Sequence, residues 1–374
     1  MVYRKEIDGL RALAVIPVIL FHAGFEWISG GYIGVDIFFV ISGYLITTIL
    51  LQEQQRGNFS IVNFYERRAR RILPALFVVL LICLPFAWFW LLPHELKDFG
   101  KSLIAVVTFS SNILFWLETD YFTADIELIP LLHTWSLAVE EQFYIIFPLF
   151  LALFAGKHTR IMVIMVIVTA LLSLGLTEWG WRYFAEGNFY LIPFRAWELM
   201  IGALTAFYLF YKPQPKGLIC HIGSLLGIVL ILLAIFFLDK SMPFPSIYAL
   251  APTLGTAFII LFANQQTLVN KVLSFKGLVI IGLVSYSAYL WHQPLFVFAR
   301  AYYMEMPAPS IMAILSIISI LMGYISWRYI EAPFRNKQRF SKKHVFIASL
   351  LIGIVFILLG VGLVVSDGAM YRFA

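Results

Sequence analysis

Charge is scarce in this chain. Asp, Glu, Lys and Arg together make 13% of its 374 residues, where a soluble globular domain carries about 25%. No segment is long and polar enough to form a soluble domain. Cysteine is nearly absent. Cys83 and Cys220 are the two present, and each lies inside or at the edge of an apolar run. A disulfide framework and a Cys-based zinc site are both excluded. Common soluble-enzyme signatures are also missing: no G-x-S-x-G elbow, no G-x-x-x-x-G-K-[ST] loop and no H-E-x-x-H. No metal is expected. The net charge of +6 sits mainly in short loops. It therefore reports membrane topology before any ligand, and nucleic acid is not an expected partner.

What is present is apolar. Hydrophobic residues make 61% of the chain and the mean hydropathy is +0.88. Twelve apolar stretches are candidates for helices: 11–27, 33–51, 72–92, 100–117, 138–155, 161–177, 193–211, 219–238, 247–263, 277–298, 310–329 and 345–366. None alternates as a barrel strand would. The fold class is therefore an all-α, polytopic membrane protein. The fourth stretch holds Ser102, Thr108, Ser110, Ser111 and Asn112, and the acidic residues Glu118, Asp120, Asp125 and Glu127 follow it. If it does not cross, about eleven transmembrane helices remain, with the N-terminus cytoplasmic and the C-terminus outside. The inner loops then collect Arg4, Lys5, Arg56, Arg67, Arg68, Arg70, Arg71, Lys157, Arg160 and the basic run from Arg335 to Lys343. The outer side keeps Lys97, Lys101, Arg182, Lys240, Arg300 and Arg372. That bias is the positive-inside pattern, and a crossing at 100–117 would break it. One membrane domain is expected over residues 1–374, with 345–366 an extra last span and no attached hydrolase-like domain.

Polar residues inside such spans are costly and are kept mostly where they work. Arg11 and His22 are eleven residues apart on the first span, close to three helical turns, so both project from one face roughly 16 Å apart. Asp8 extends that stripe by one turn. Under the expected topology His22 shares an outer layer with Asp36, His133, Trp135, Ser136, Glu140, Glu141, Arg195, Glu198 and His292. An inner focus comprises Arg67, Arg68, Arg70 and Arg71, beside Asp8 and Arg11. Clustered guanidiniums suit a multiply charged anion. Plainer readings stand beside these. The arginines could anchor a helix end against anionic lipid. Arg195 and Glu198 could be a helix-face ion pair, Asp36 could favour a helix start, and His292 could be a satisfied core histidine. Gly30, Gly31, Gly34 and Gly43 read as turn and packing residues.

Taken in order, several blocks resemble the acyltransferase 3 family of bacterial integral-membrane O-acyltransferases. They are Ile7-Asp-Gly-Leu-Arg-Ala12 with His22, Gly31-Tyr-Ile-Gly-Val-Asp-Ile-Phe-Phe-Val-Ile-Ser-Gly43 and Phe64-Tyr-Glu-Arg-Arg-Ala-Arg-Arg-Ile-Leu-Pro74. His133-Thr-Trp-Ser-Leu-Ala-Val-Glu-Glu-Gln-Phe-Tyr144, Pro193-Phe-Arg-Ala-Trp-Glu198, Ser285-Tyr-Ser-Ala-Tyr-Leu-Trp-His292 and Tyr329-Ile-Glu-Ala-Pro-Phe-Arg335 follow. The resemblance implies O-acylation, usually O-acetylation, of a cell-surface glycan such as O-antigen, lipopolysaccharide or peptidoglycan. The reaction would take place outside the bacterial cytoplasmic membrane, with cytosolic acetyl-CoA or another acyl-CoA as donor. It maps the family's key histidine to His22, its paired Asp and Arg to Asp8 and Arg11, and its arginine motif to Arg68 and Arg70. Similar members often continue into an outer hydrolase-like domain, whereas this chain stops at Ala374. A piece of a longer protein, a chain acting alone and one working with a separate extracytoplasmic acyl-handling partner are all compatible with that.

In this role Arg11, Arg68, Arg70 and Arg71, with Asp8, would hold the nucleotide end of the donor. The uncharged pantetheine arm would follow the first span to His22. An imidazole with an unperturbed pKa of about 6.5 suits a general base, and Asp36 or Glu141 would orient it. His133, Trp135 and Ser136 are the expected acceptor-binding residues, and membrane lipids and the glycan are the expected partners. A transporter or flippase of lipid-linked sugars is the main competitor, because polar groups on many spans would also line a path. A non-catalytic scaffold would leave the Asp8–Arg11–His22 stripe unexplained.

Overall fold

The structure is a computed structural model, in which residues 3–118, 128–153 and 159–373 are described. Lys157, Asp120, Asp125 and Glu127 lie outside the described residues. Among the described residues every regular element is helical. The α-helices are α1 (Lys5–His22), α2 (Gly34–Gln55), α3 (Ile61–Trp90), α4 (Pro93–Val107), α5 (Ser111–Glu118), α6 (Thr134–Leu153), α7 (Thr159–Tyr183) and α8 (Ala185–Tyr190). They continue as α9 (Ile192–Tyr211), α10 (Leu218–Phe237), α11 (Leu250–Phe262), α12 (Leu268–Leu273), α13 (Lys276–Tyr303), α14 (Pro309–Ser326), α15 (Ala332–Arg335) and α16 (Lys342–Val365). A π-helical turn, Trp327–Glu331, joins α14 to α15.

Among the described residues seven helices are long and apolar enough to cross a membrane: Gly31–Gln55, α3, α6, α7, α10, Pro309–Arg335 and α16. These account for seven of the eleven expected spans. The other four correspond to α1, α9, α11 and α13, and the shortfall has a physical reason. α11 has 13 residues, fewer than the roughly 20 that a bilayer core needs. The other three dilute their apolar character with Asp8, Arg11 and His22, with Arg195 and Glu198, and with His292 and Gln293. The polar stretch 100–117 divides between α4 and α5, of 15 and 8 residues. The break falls at Phe109, which has a φ of 52°.

Two compact units make up the chain. The first comprises Met1–Phe21, Phe25–Ser60 and Val139–Leu283, and the second His22–Gly24, Ile61–Ala138 and Val284–Ala374. In the first unit α2 and α9 pack backbone to backbone. A Cβ on Gly43 would lie 1.9 Å from the Leu199 carbonyl oxygen, and one on Gly202 2.0 Å from that of Val40. Only glycine permits this approach, a common device where lipid removes the hydrophobic drive between helices. The contact brings Asp36, in the first turn of α2, alongside the start of α9. On the flank of α9, the Ser173 hydroxyl inserts between two helical partners. It donates to the Pro193 carbonyl at 2.6 Å and accepts from the Trp197 amide at 3.1 Å.

The second unit is held by buried polar anchors. Tyr286 on α13 donates to the Ile72 carbonyl on α3 at 2.9 Å. Ser287 donates to Glu331 in the π-turn at 2.6 Å, and Trp291 Nε1 donates to Ser326 Oγ at 2.8 Å. Glu331 also pairs with Arg335. Both cysteines are free thiols.

Candidate functional site

The end of α1 sets the site. Gly24, at a φ of 85°, takes the left-handed conformation that side chains resist, and the Phe25 amide reaches back to the Leu20 carbonyl at 3.2 Å. This six-to-one closure is a Schellman cap. It makes His22 the last helical residue, where sequence reasoning ran the span on to residue 27. A helix end leaves carbonyls without intrahelical donors. Arg300 on α13 supplies one, donating from Nη2 to the His22 carbonyl at 2.7 Å. The backbone under His22 is thereby tied to α13.

The same helix presents a second imidazole. His292, fully buried, places Nε2 3.2 Å from His22 Nδ1, with the ring centroids 5.1 Å apart. Its Nδ1 lies 2.5 Å from the Tyr289 carbonyl oxygen. A third imidazole follows. The His133 ring, 3% exposed, stands edge-on to His292 at 5.4 Å and to Tyr289 at 5.4 Å. The Tyr289 hydroxyl donates to the His133 carbonyl at 2.9 Å and lies 2.8 Å from Ser136 Oγ. Trp135 is buried beside them in sequence. The second unit thus gathers His22, His133 and Ser136 around His292 and Tyr289. Three neighbouring imidazoles and two hydroxyls can accept, hold and pass protons without burying a fixed charge.

Other expected residues sit differently. Asp36 was expected to orient the imidazole. Its carboxylate instead meets Arg195 Nη2 at 3.2 Å, while Arg195 Nη1 meets Glu198 at 3.3 Å. All three side chains are 1% exposed or less, and the guanidinium stacks near Phe39, Phe189 and Phe244 at 5.5–5.7 Å. Glu141 is buried on α6, and its neighbour Glu140 accepts from Ser42 at 2.7 Å. Asp8 accepts from Tyr3 at 2.6 Å and faces Arg11 at 3.7 Å.

The inner arginines divide. Arg70, expected to bind an anion, is 2% exposed and committed within the fold. Its Nε donates to Glu66 at 3.0 Å, Nη1 to the Phe334 carbonyl at 3.0 Å and Nη2 to the Phe340 carbonyl at 2.7 Å. Arg68 and Arg71 are partly exposed. A 620 Å³ cavity lined by Leu84, Trp88, Phe99, Leu359 and Leu363 lies elsewhere in the second unit. Its walls are mostly apolar, with Ser366 and Tyr371 the hydroxyls among them, and they hold no histidine or carboxylate.

A family model described as an acyltransferase domain matches residues 4–364. The chain belongs to the acyltransferase 3 family. It is 35% identical over 356 residues to the O-acetyltransferase OatA of Staphylococcus aureus, covering 90% of this chain and 58% of that protein. It is 34% identical over 370 residues to the peptidoglycan O-acetyltransferase OatA of Listeria monocytogenes, covering 92% and 59%. The chain thus spans under two thirds of the length of the curated relatives it matches. No solved structure matches it. Within this acyltransferase 3 chain, sequence reasoning marked His22 but not its partners. His292 stood only as one polar residue of an outer layer, and Arg300 only as an outer positive charge. Among the described residues no cluster of three or more potential ligands could hold a metal ion.

Proposed function

We propose that this chain transfers an acetyl group from acetyl-CoA to a hydroxyl of a cell-surface glycan, with peptidoglycan the favoured acceptor. The supporting relatives are named for O-acetyl transfer, one of them to peptidoglycan. The observation that carries the reading is the part-buried His22–His292 contact at 3.2 Å at the capped end of α1. In the reaction the acceptor hydroxyl gives its proton to His22 as its oxygen attacks the thioester carbonyl. A C–O bond forms, the tetrahedral centre collapses, the C–S bond breaks, and His22 returns the proton to the CoA sulfur. Such general-base help contributes about 10²–10⁴-fold.

Arg68 and Arg71 are the arginines this reading assigns to the donor phosphates. Arg70 keeps their helix in place. His133 and Ser136, with Trp135 behind them, receive the acceptor sugar. Eleven spans with the N-terminus inside the bacterial cytoplasmic membrane put the donor and acceptor on opposite faces. The test uses membranes carrying the chain, given labelled acetyl-CoA and peptidoglycan fragments. Wild-type protein yields base-labile acetate on the glycan, and His22→Ala, inserted at the same level, yields none. Near-normal transfer by His22→Ala would overturn the reading.

A further inference from the structure

We infer that His292 is the positioning residue of this site: it fixes the tautomer of His22, so that Nε2 of His22 is the nitrogen that takes the acceptor proton. This role rests on His22 being the base, and it specifies which atom acts and what holds it.

A carbonyl oxygen only accepts hydrogen bonds. The Tyr289 carbonyl lies 2.5 Å from His292 Nδ1, so that nitrogen carries the proton. In a neutral imidazole the other nitrogen is then an acceptor. His292 Nε2 faces His22 Nδ1 at 3.2 Å, so the proton of that contact belongs to His22 Nδ1. The lone pair of His22 is left on Nε2. Backbone, His292 and His22 thus form a directed series from a helical carbonyl to the reacting nitrogen. When Nε2 takes the hydroxyl proton, the ring becomes an imidazolium, and its Nδ1–H stays bonded to His292. When the C–S bond breaks, Nε2–H protonates the leaving sulfur and the starting tautomer returns.

A triad carboxylate does the same for its histidine. Here the acceptor is neutral, which suits a site where a second buried charge would be costly. Arg300 is a charged neighbour of His22, bonded to its carbonyl. His133 stands on the far side of His292 at 5.4 Å, and Tyr289 closes the cluster.

The side-chain amides separate the two halves of the role. In His292→Gln the Oε1 atom stands near the place of Nε2 and accepts from His22. In His292→Asn the Nδ2 atom stands near the place of Nδ1 and keeps only the link to Tyr289. His292→Leu keeps neither. The full chain in proteoliposomes is given labelled acetyl-CoA and peptidoglycan fragments, beside wild type and His22→Ala, with melting temperature and insertion measured for each. His292→Leu is expected to lower kcat about 100-fold with KM for both substrates within about threefold. His292→Gln is expected to regain at least about tenfold over His292→Leu, and His292→Asn to stay near it. The inference is overturned on its own if His22→Ala is inactive while His292→Leu keeps its kcat, or if His292→Asn matches or exceeds His292→Gln. If His22→Ala transfers acetate normally, the base assignment and this inference fall together.

Discussion

Replacing Arg195 with methionine is the sharpest test of how this protein tolerates buried charge. Arg195 sits between Asp36 at 3.2 Å and Glu198 at 3.3 Å, with all three side chains 1% exposed or less. Methionine fills similar space but removes the set's cation. It leaves two carboxyl groups facing each other and strips the rings of Phe39, Phe189 and Phe244 of the guanidinium they surround. Breaking a buried pair by removing one partner costs about 3–5 kcal/mol. At about 2 °C per kcal/mol, for a chain this large, the melting point falls by roughly 6–10 °C.

Removing one carboxylate is a different perturbation. Glu198→Gln leaves the Asp36–Arg195 pair intact and one charge of each sign, so it costs less than Arg195→Met. The triple variant Asp36→Asn, Arg195→Met, Glu198→Gln carries no charge in the set and recovers at least half the loss, since neutral replacements of buried ion sets are often tolerated. Thermal unfolding of purified protein in nanodiscs, followed by tryptophan fluorescence, reads all four. An Arg195→Met melting point within about 1 °C of wild type, or a triple variant no better than Arg195→Met, would refute the charge argument.

The inner arginines are expected to separate by assay. Arg70→Leu leaves Glu66 without its ion partner and the Phe334 and Phe340 carbonyls without this donor. It lowers stability by about 3–5 kcal/mol, seen as loss of a monodisperse peak in detergent. Arg68→Ala with Arg71→Ala keeps that peak and raises KM for acetyl-CoA; an unchanged KM assigns them to lipid. Gly43→Leu drives a side chain into the Leu199 carbonyl, 1.9 Å from where its Cβ would start. No folded protein is expected at 37 °C. Gly175→Ala on α7 meets nothing within 4 Å and raises stability by about 0.5–1 kcal/mol through helix propensity. Similar melting points for these two glycine variants would contradict the packing at α2 and α9.

How much of this was legible in the sequence depended on whether the signal was local. The helices were visible because bilayer-length apolar runs are contiguous. The Arg195–Glu198 pair was visible because residues three apart share a helix face. His22 stood out because its stripe with Arg11 and Asp8 repeats at a helical period. Partners were not visible. His292 lies 270 positions from His22, and Arg195 lies 159 from Asp36. One sequence carries no pairing information over such separations. Asp36 therefore looked as suited to orienting the histidine as to favouring a helix start. The end of α1 is obscured for a smaller reason: apolar residues follow the capping Gly24 and prolong the hydrophobic run past it.

The same geometry gives a local counterpart to the positive charges expected on the outer side. Six basic residues were expected on the outer side, and each has a local counterpart. Lys97 meets Asp367 at 2.7 Å and, through that hydrogen bond, holds its carboxyl below the usual range. Asp98 and Glu118, each at 2.9 Å, hold the Lys101 ammonium above its usual range. Arg182 pairs with Glu178, and Lys240 stands 5.1 Å over the Phe21 ring. Arg300 and Arg372 have helix ends instead. The His22 carbonyl ends α1, and the Trp88 and Leu91 carbonyls end α3. Arg4 does the same for α11 at Ile260 and Arg70 for α15 at Phe334. A helix C-terminus offers unpaired carbonyls and the negative end of the dipole, and in lipid no water is present to satisfy them. Arginine, with five donors on one rigid plane, meets that need from a distance. Arginine in this chain therefore does a job that composition does not reveal: it closes helix ends, among them the one that carries His22.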